Sequence, residues 1–258
     1  MNAVPSEDYK KEIVEFEGAL NQCVELSQRC SGIPSPSSTH FYASVLFTML
    51  CTRSVSFGIL APSTSLAKKA VDHWDYASLA VLARSILEVR IAFYYLCVQK
   101  CEPVEWECRW NLFNLHDCCA RIHLFQEMDT SSPDIQGFQS QAEELRGRLT
   151  RNAFFLALTA SDQRRLLHGK RSYLVPLEDI AQAAGVEVPQ FRWLYKFLSS
   201  HVHGLPLSFY RMGEIDRGRG VYSEVEDGYS YLCVSFVRSI LVVARDEMKK
   251  LFEPHTEG

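Results

Sequence analysis

Arg84 and Glu88 stand one helical turn apart in the run Leu82-Ala-Arg-Ser-Ile-Leu-Glu88. Side chains four apart share a face. Their neighbours are apolar, so this face is buried or lines a cleft. A buried charge is costly unless it is paired and hydrogen-bonded. Two readings follow: an internal ion pair that fixes helix packing, or a pocket wall that holds an anion or orients a catalytic group. A second constellation is Tyr195-Lys-Phe-Leu-Ser-Ser-His-Val-His-Gly204. On a helix, Arg192, Lys196, Ser199 and His203 fall within a sector of about 60°. Phe191, Leu194, Tyr195, Leu198 and Val202 take the other side. His203 would then stand as an acid or base beside two cations able to grip a phosphate. The plainer alternative is a solvated stripe in which a histidine meets the negative end of a helix dipole. His201 points about 160° away from His203, so the two cannot share a metal while the helix continues through both.

His116, Cys119 and His123 follow one another at steps of three and four, with Glu127 one turn further on. That spacing is compatible with zinc, but the paired Cys-x-x-Cys of strong zinc motifs is absent. The expectation is no bound metal and no cofactor. Leu177–Val186, with Gly185 and a new helix after Pro189, has the outline of a helix-turn-helix. Its second helix carries Phe191, Trp193, Leu194, Phe197 and Leu198, where a recognition helix needs polar residues for base edges. A DNA-binding regulator is therefore the weakest reading. There is no glycine-rich phosphate loop, nucleophile elbow, His-Glu-x-x-His or EF-hand loop.

Helices must position these groups. Apolar residues at steps of three and four predict helices over Tyr9–Arg29, Ser38–Leu60, Leu66 or Asp72 to Lys100, and Pro103–Met128. A more polar fifth helix carries Glu143, Glu144, Arg146 and Arg148. Short helices are expected between Ser161 and Pro189, then helices over Gln190–His203 and Tyr229–Leu251. Asp129-Thr-Ser-Ser-Pro reads as a loop, and Gly213–Gly228 as a mobile loop or short hairpin. The third helix is apolar on nearly all sides and should be central.

The 258 residues are 47% hydrophobic, enough for a sizeable core. No linker divides them, so one helical domain over residues 1–258 is expected, with N-terminal helices 1–60 packing on a core of about 66–252. A net charge of −4 gives no global field for nucleic acid but leaves room for a local basic groove. Nine cysteines, an odd number, read as reduced and buried thiols. The charged start MNAVPSEDYKKEIVEFEG is not a signal peptide. Phe41–Leu60, the most membrane-like stretch, holds Arg53 and Gly58 and reads as a core helix. A soluble, cytoplasmic protein without a membrane partner is the expectation.

Two of these runs carry a resemblance. Leu82-Ala-Arg-Ser-Ile-Leu-Glu88 and Tyr195-Lys-x-Leu-Ser-x-x-Val-His-Gly204 resemble a family of uncharacterised bacterial helical proteins, a domain of unknown function. That family is similar to HEPN domains and to abortive-infection proteins of the AbiV type. The likeness spans roughly Ala77 to Leu251. It implies an all-α, irregular, HEPN-like multi-helix bundle, with a site at Arg84, Glu88, Tyr195, Ser199 and His203. It also implies a role in bacterial stress or phage defence, as a metal-independent RNA endonuclease with RNA as partner. HEPN ribonucleases place an arginine four to six residues before a histidine. Here Arg192 is separated by eight residues from His201 and by ten from His203, whereas Lys196 has four and six. The rival expectation is a non-catalytic interaction or sensor module with a protein partner or a second copy of itself. Either way, Arg84 and Glu88 should lie near the Lys196–His203 stripe, because isolated polar groups in apolar helices are best satisfied by each other.

Overall fold

The structure is a computed structural model, and it describes residues 4–128, 133–204, 206–210, 214 and 217–252. It is all-α. In chain order the helices are α1 (Glu7–Cys30), α2 (Ser38–Leu60), α3 (Tyr76–Phe93), α4 (Pro103–Glu127), α5 (Pro133–Leu149), α6 (Ala153–Leu156), α7 (Ala160–Leu167), α8 (Leu177–Ala183), α9 (Val188–Val202), α10 (Pro206–Phe209) and α11 (Glu224–Phe252). A π-helical turn, Tyr94–Val98, prolongs α3. Trp74 and Gly220 form an isolated antiparallel bridge. The chain makes two compact units: residues 1–98 with 184–258, and residues 99–183. The expected loop at residues 129–132 lies outside the described residues, as do 213 and 215–216 of the glycine-rich region.

The helix starts follow from local chemistry. Ser6 Oγ accepts from the Tyr9 amide, and Asp75 Oδ1 from that of Ser78, both at 3.1 Å. Such caps satisfy amides that have no partner within the helix. α4 and α9 instead begin with a proline in the first turn, where its missing N–H costs nothing. The third helix starts later than its apolar pattern suggests, at Tyr76 rather than Leu66 or Asp72. The preceding residues are held by other partners. Glu17 accepts from the Ser65 amide at 2.7 Å and Thr64 Oγ1 at 2.8 Å. Lys69 donates to the carbonyls of Leu60 and Ala61 at 2.9 and 2.6 Å. Nearer the helix, Asp72 accepts from the Ser63 amide at 3.2 Å, the Trp74 amide donates to the Gly220 carbonyl at 3.2 Å, and Asp75 serves as the N-cap, so the helix can begin only at Tyr76.

In the first unit α3 is central, packing on α2, α9 and α11, while α1 lies along α11 and α2. Leu79, Ala83, Ile86, Leu87 and Phe93 of α3 are buried, together with Phe16, Phe47 and Phe57. Burying each of the leucine, isoleucine and phenylalanine side chains among them is worth about 1.5–3 kcal/mol. Gly58 permits the close approach of α2: a Cβ there would sit 2.5 Å from Leu66 Cδ1 and 2.9 Å from Phe16 Cε1. Arg90 of α3 and Glu247 of α11 form an ion pair at 2.8 Å, their side chains only 9% and 15% exposed. Ser6 donates its amide and hydroxyl to the Asp227 carboxylate, at 2.8 and 2.6 Å, and so pins the start of α1 to α11.

The second unit has its own core of Leu112, Leu115, Leu145, Leu149, Phe155 and Leu166. Gly169 there has φ +72°, and a Cβ would collide with Cys119 Sγ, so only glycine fits. All nine cysteines are free thiols. Burial pushes those of Cys97 and Cys233 up to about 12, which keeps them protonated. α2 and α11 are long and apolar enough to cross a membrane by length and composition, a property that buried core helices share.

Candidate functional site

α9 is amphipathic, and its packing on α3 decides which of its side chains meet. Phe191, Leu194 and Leu198 go into the core. Beside them, Arg84 Nε donates to Ser199 Oγ at 3.1 Å. The same guanidinium lies 3.9 Å above the Tyr195 ring and forms an ion pair with Glu88. Arg84 is 13% exposed and Glu88 38%. Three of the six residues singled out in the sequence, Arg84, Glu88 and Ser199, are thus brought together, and Tyr195 completes the group. A guanidinium over an aromatic face loses little by desolvation and fixes the ring beneath it.

The other three stay on the solvent side. Arg192, Lys196 and His203 are exposed. No hydrogen bond or ion pair links the side chain of Lys196 or His203 to another described residue. His203 is the C-cap residue, at φ −97° and ψ 2°, and Gly204 then takes φ +56° to end the helix. Val202, expected on the core side, is exposed because the helix stops there. The arrangement is an open basic face with an accessible imidazole at its end, anchored from below through Ser199.

His201 turns inward, into a cluster that the sequence reading passed over. Its ring meets Tyr76 edge-on at 5.2 Å and Phe197 at 5.0 Å. Its Nδ1 is sealed from solvent without a hydrogen-bond partner among the described residues. Arg217 donates to the Tyr76 hydroxyl through Nε at 3.0 Å and Nη2 at 2.7 Å. Glu226 accepts from the amides of Tyr76 and Gly218, at 3.1 and 2.8 Å. Burial, and then the nearby Arg217 cation, push the His201 imidazole down, against the pull of Asp75. Burial pushes the Tyr76 phenol and the Glu226 carboxyl up. The only early signal was the opposition of His201 to His203 around the helix, which puts one of them inward.

A pH dependence follows from His201. Its folded-state pKa lies below the ordinary 6.5, so the folded protein prefers the neutral ring. The stability linked to it is present above pH 6.5 and is lost as pH falls through the folded-state value. Glu226, pushed up, has the opposite sign: its contribution is lost as pH rises through its raised pKa. His201→Phe, which can keep the edge-on contacts, should therefore lose less stability than the wild type between pH 7.5 and 5.5. Urea midpoints at the two pH values check this; equal losses in both proteins would remove His201 as the cause.

The other sequence candidates have different partners. His116 Nδ1 lies 2.9 Å from the Gly169 carbonyl, and Cys119 Sγ accepts from Arg146 Nη2 at 3.5 Å. Among the described residues no three His, Cys, Asp or Glu side chains gather to hold a metal. The two helices of the helix-turn-helix outline, α8 and α9, fall in different compact units.

No curated protein and no solved structure matches the chain. One family profile does match, over residues 40–220, a stretch that includes Arg84, Glu88, the whole of α9 and Arg217. With most of its length so matched, the chain belongs to the family of unknown function DUF5677.

Proposed function

We propose that this is a HEPN-like protein of bacterial stress or phage defence that cleaves RNA without a metal. The observation that supports it is the exposed face of α9, where Arg192 and Lys196 lead to an accessible His203 while Arg84 fixes Ser199 beneath them. Two cations can hold a phosphate, and an accessible imidazole can move the proton. His203 accepts the proton of a ribose 2′-hydroxyl as the 2′-oxygen attacks the adjacent phosphorus. The bond from phosphorus to the 5′-oxygen breaks, and that oxygen takes a proton from solvent. The products are a 2′,3′-cyclic phosphate and a 5′-hydroxyl.

A second reading is a non-catalytic interaction or sensor module. It is favoured by the way Arg84 already has Ser199, Glu88 and Tyr195 as partners without any ligand. End-labelled RNA incubated with the protein in excess chelator separates the two. Cleavage with cyclic-phosphate ends supports the nuclease. RNA left intact, together with harmless expression in a bacterial host, discards it and leaves the interaction module.

A further inference from the structure

Trp193 sits on the same exposed side of α9 as Lys196 and is 55% exposed. Its indole is parallel to the Phe197 ring, at 5.9 Å and 7°. Phe197 stacks on Tyr229 of α11 at 5.4 Å and 19°, and Tyr229 on Tyr76 of α3 at 4.8 Å and 28°. Four rings from three helices therefore form one ladder. Its inner end is fixed: Tyr76 is 3% exposed and its hydroxyl is held by Arg217. Its outer end shows an indole to solvent.

We propose that Trp193 is a base-stacking subsite that takes an unpaired nucleobase of a single-stranded RNA, with Lys196 on the adjoining phosphate. The proposal rests on the RNA reading of α9 and adds the form of RNA that is accepted. Stacking on an aromatic platform is tolerant of sequence because every base has a π-face. It requires a base free of its pair, so a regular duplex gains nothing from the indole. Lys196 lies three residues on from Trp193, a distance at which helix side chains are neighbours, and it is exposed. The face thus offers an apolar plate beside positive charge, which matches a base and its phosphates. An acidic or wholly apolar partner lacks one of the two complements. The ladder behind the plate holds the indole in one orientation before binding, so little side-chain freedom is lost on contact.

The test uses 2′-O-methyl RNA, which lacks the attacking hydroxyl and cannot be cut, as a labelled single strand and as a blunt duplex. Trp193→Leu keeps an apolar contact with Phe197 and removes the π-face. It should weaken single-strand binding by about five- to a hundredfold and leave duplex binding unchanged. Trp193→Phe should restore most of the affinity, and circular dichroism should show the wild-type helix content in both variants. Equal affinities of wild type and Trp193→Leu for the single strand would overturn the proposal, as would an equal loss on the duplex, or no binding of the single strand by wild type. The nuclease reading fails separately. Cleavage of ordinary RNA with no effect of Trp193→Leu removes the stacking subsite alone. A single-strand defect in Trp193→Leu without any cleavage by wild type removes the nuclease alone.

Discussion

On the proposed nuclease reading, His203→Ala is expected to lower RNA cleavage by about 10²–10⁴-fold while leaving the melting temperature almost unchanged. The size follows from the role: a positioned imidazole that moves a proton in the transition state contributes about that much. The insensitivity of the fold follows from position. His203 caps α9 from outside, and its ring makes no hydrogen bond to a described residue. Only a weak dipole interaction is lost, about 0.3–1 kcal/mol when the ring is charged. A hydrogen-bonding group that mattered to the fold would cost on the order of 1–3 kcal/mol on deletion. Both quantities should be measured on one preparation. A variant that melts several degrees earlier, from a wild type that never cuts RNA, would give the residue a structural role instead.

Glu247→Ala should destabilise the first unit by about 3–5 kcal/mol, a large share of the stability of an ordinary domain. The cause is the charge left behind. Arg90 is buried, with Phe93 and Tyr94 under its guanidinium at 5.9 and 5.4 Å, and burial already pulls it below the usual guanidinium range. Glu247 is pushed up by burial in turn, and Arg90 opposes the shift. Each charge is tolerable because of the other. The double change Arg90→Met with Glu247→Leu should therefore fold with stability close to wild type, since apolar replacements of similar volume often substitute for a buried pair without loss. Urea unfolding of the single and double variants decides this. A single variant costing less than about 1 kcal/mol would mean that water compensates the orphaned arginine.

Much of this arrangement could be read in the amino-acid order, for identifiable reasons. α2 runs over Ser38–Leu60 as expected, because prolines and small polar residues on both sides leave the chain no other course. α3 is central because apolar residues cover most of its circumference and leave only a narrow stripe through Ser78 and Val81 for water. The meeting of Arg84 with Ser199 was legible too: each is a polar group on an apolar helix, and such groups find each other. The true start of α3 was hidden, since it depends on the pairing of Trp74 with Gly220, which is 146 positions away, just before the Asp75 N-cap. The ladder from Trp193 to Tyr76 was hidden for a related reason. Its rings lie on α9, α11 and α3, and no periodicity within one helix reveals which rings of different helices will stack. Tyr195 stands on the apolar side of α9, and the site group implied by the resemblance includes it; its ring lies under Arg84.

The bond between Ser6 and Asp227 bears on how the polypeptide reaches this state. It joins residues 221 positions apart, and the surrounding contact of α1 with α11 is the most extensive between any two helices described. Closing so long a loop carries an entropic cost that only later contacts offset, so topology of this kind slows folding. On the ribosome α1 must wait until α11, far downstream in the chain, has been made. Residues 99–183 form an uninterrupted stretch with a core of their own and can acquire structure while the following segment is still being made. During that interval the apolar faces of α1, α2 and α3 are in water without their final partner. The nascent chain is then most exposed to aggregation, and a chaperone that shields apolar helices has the longest time to act.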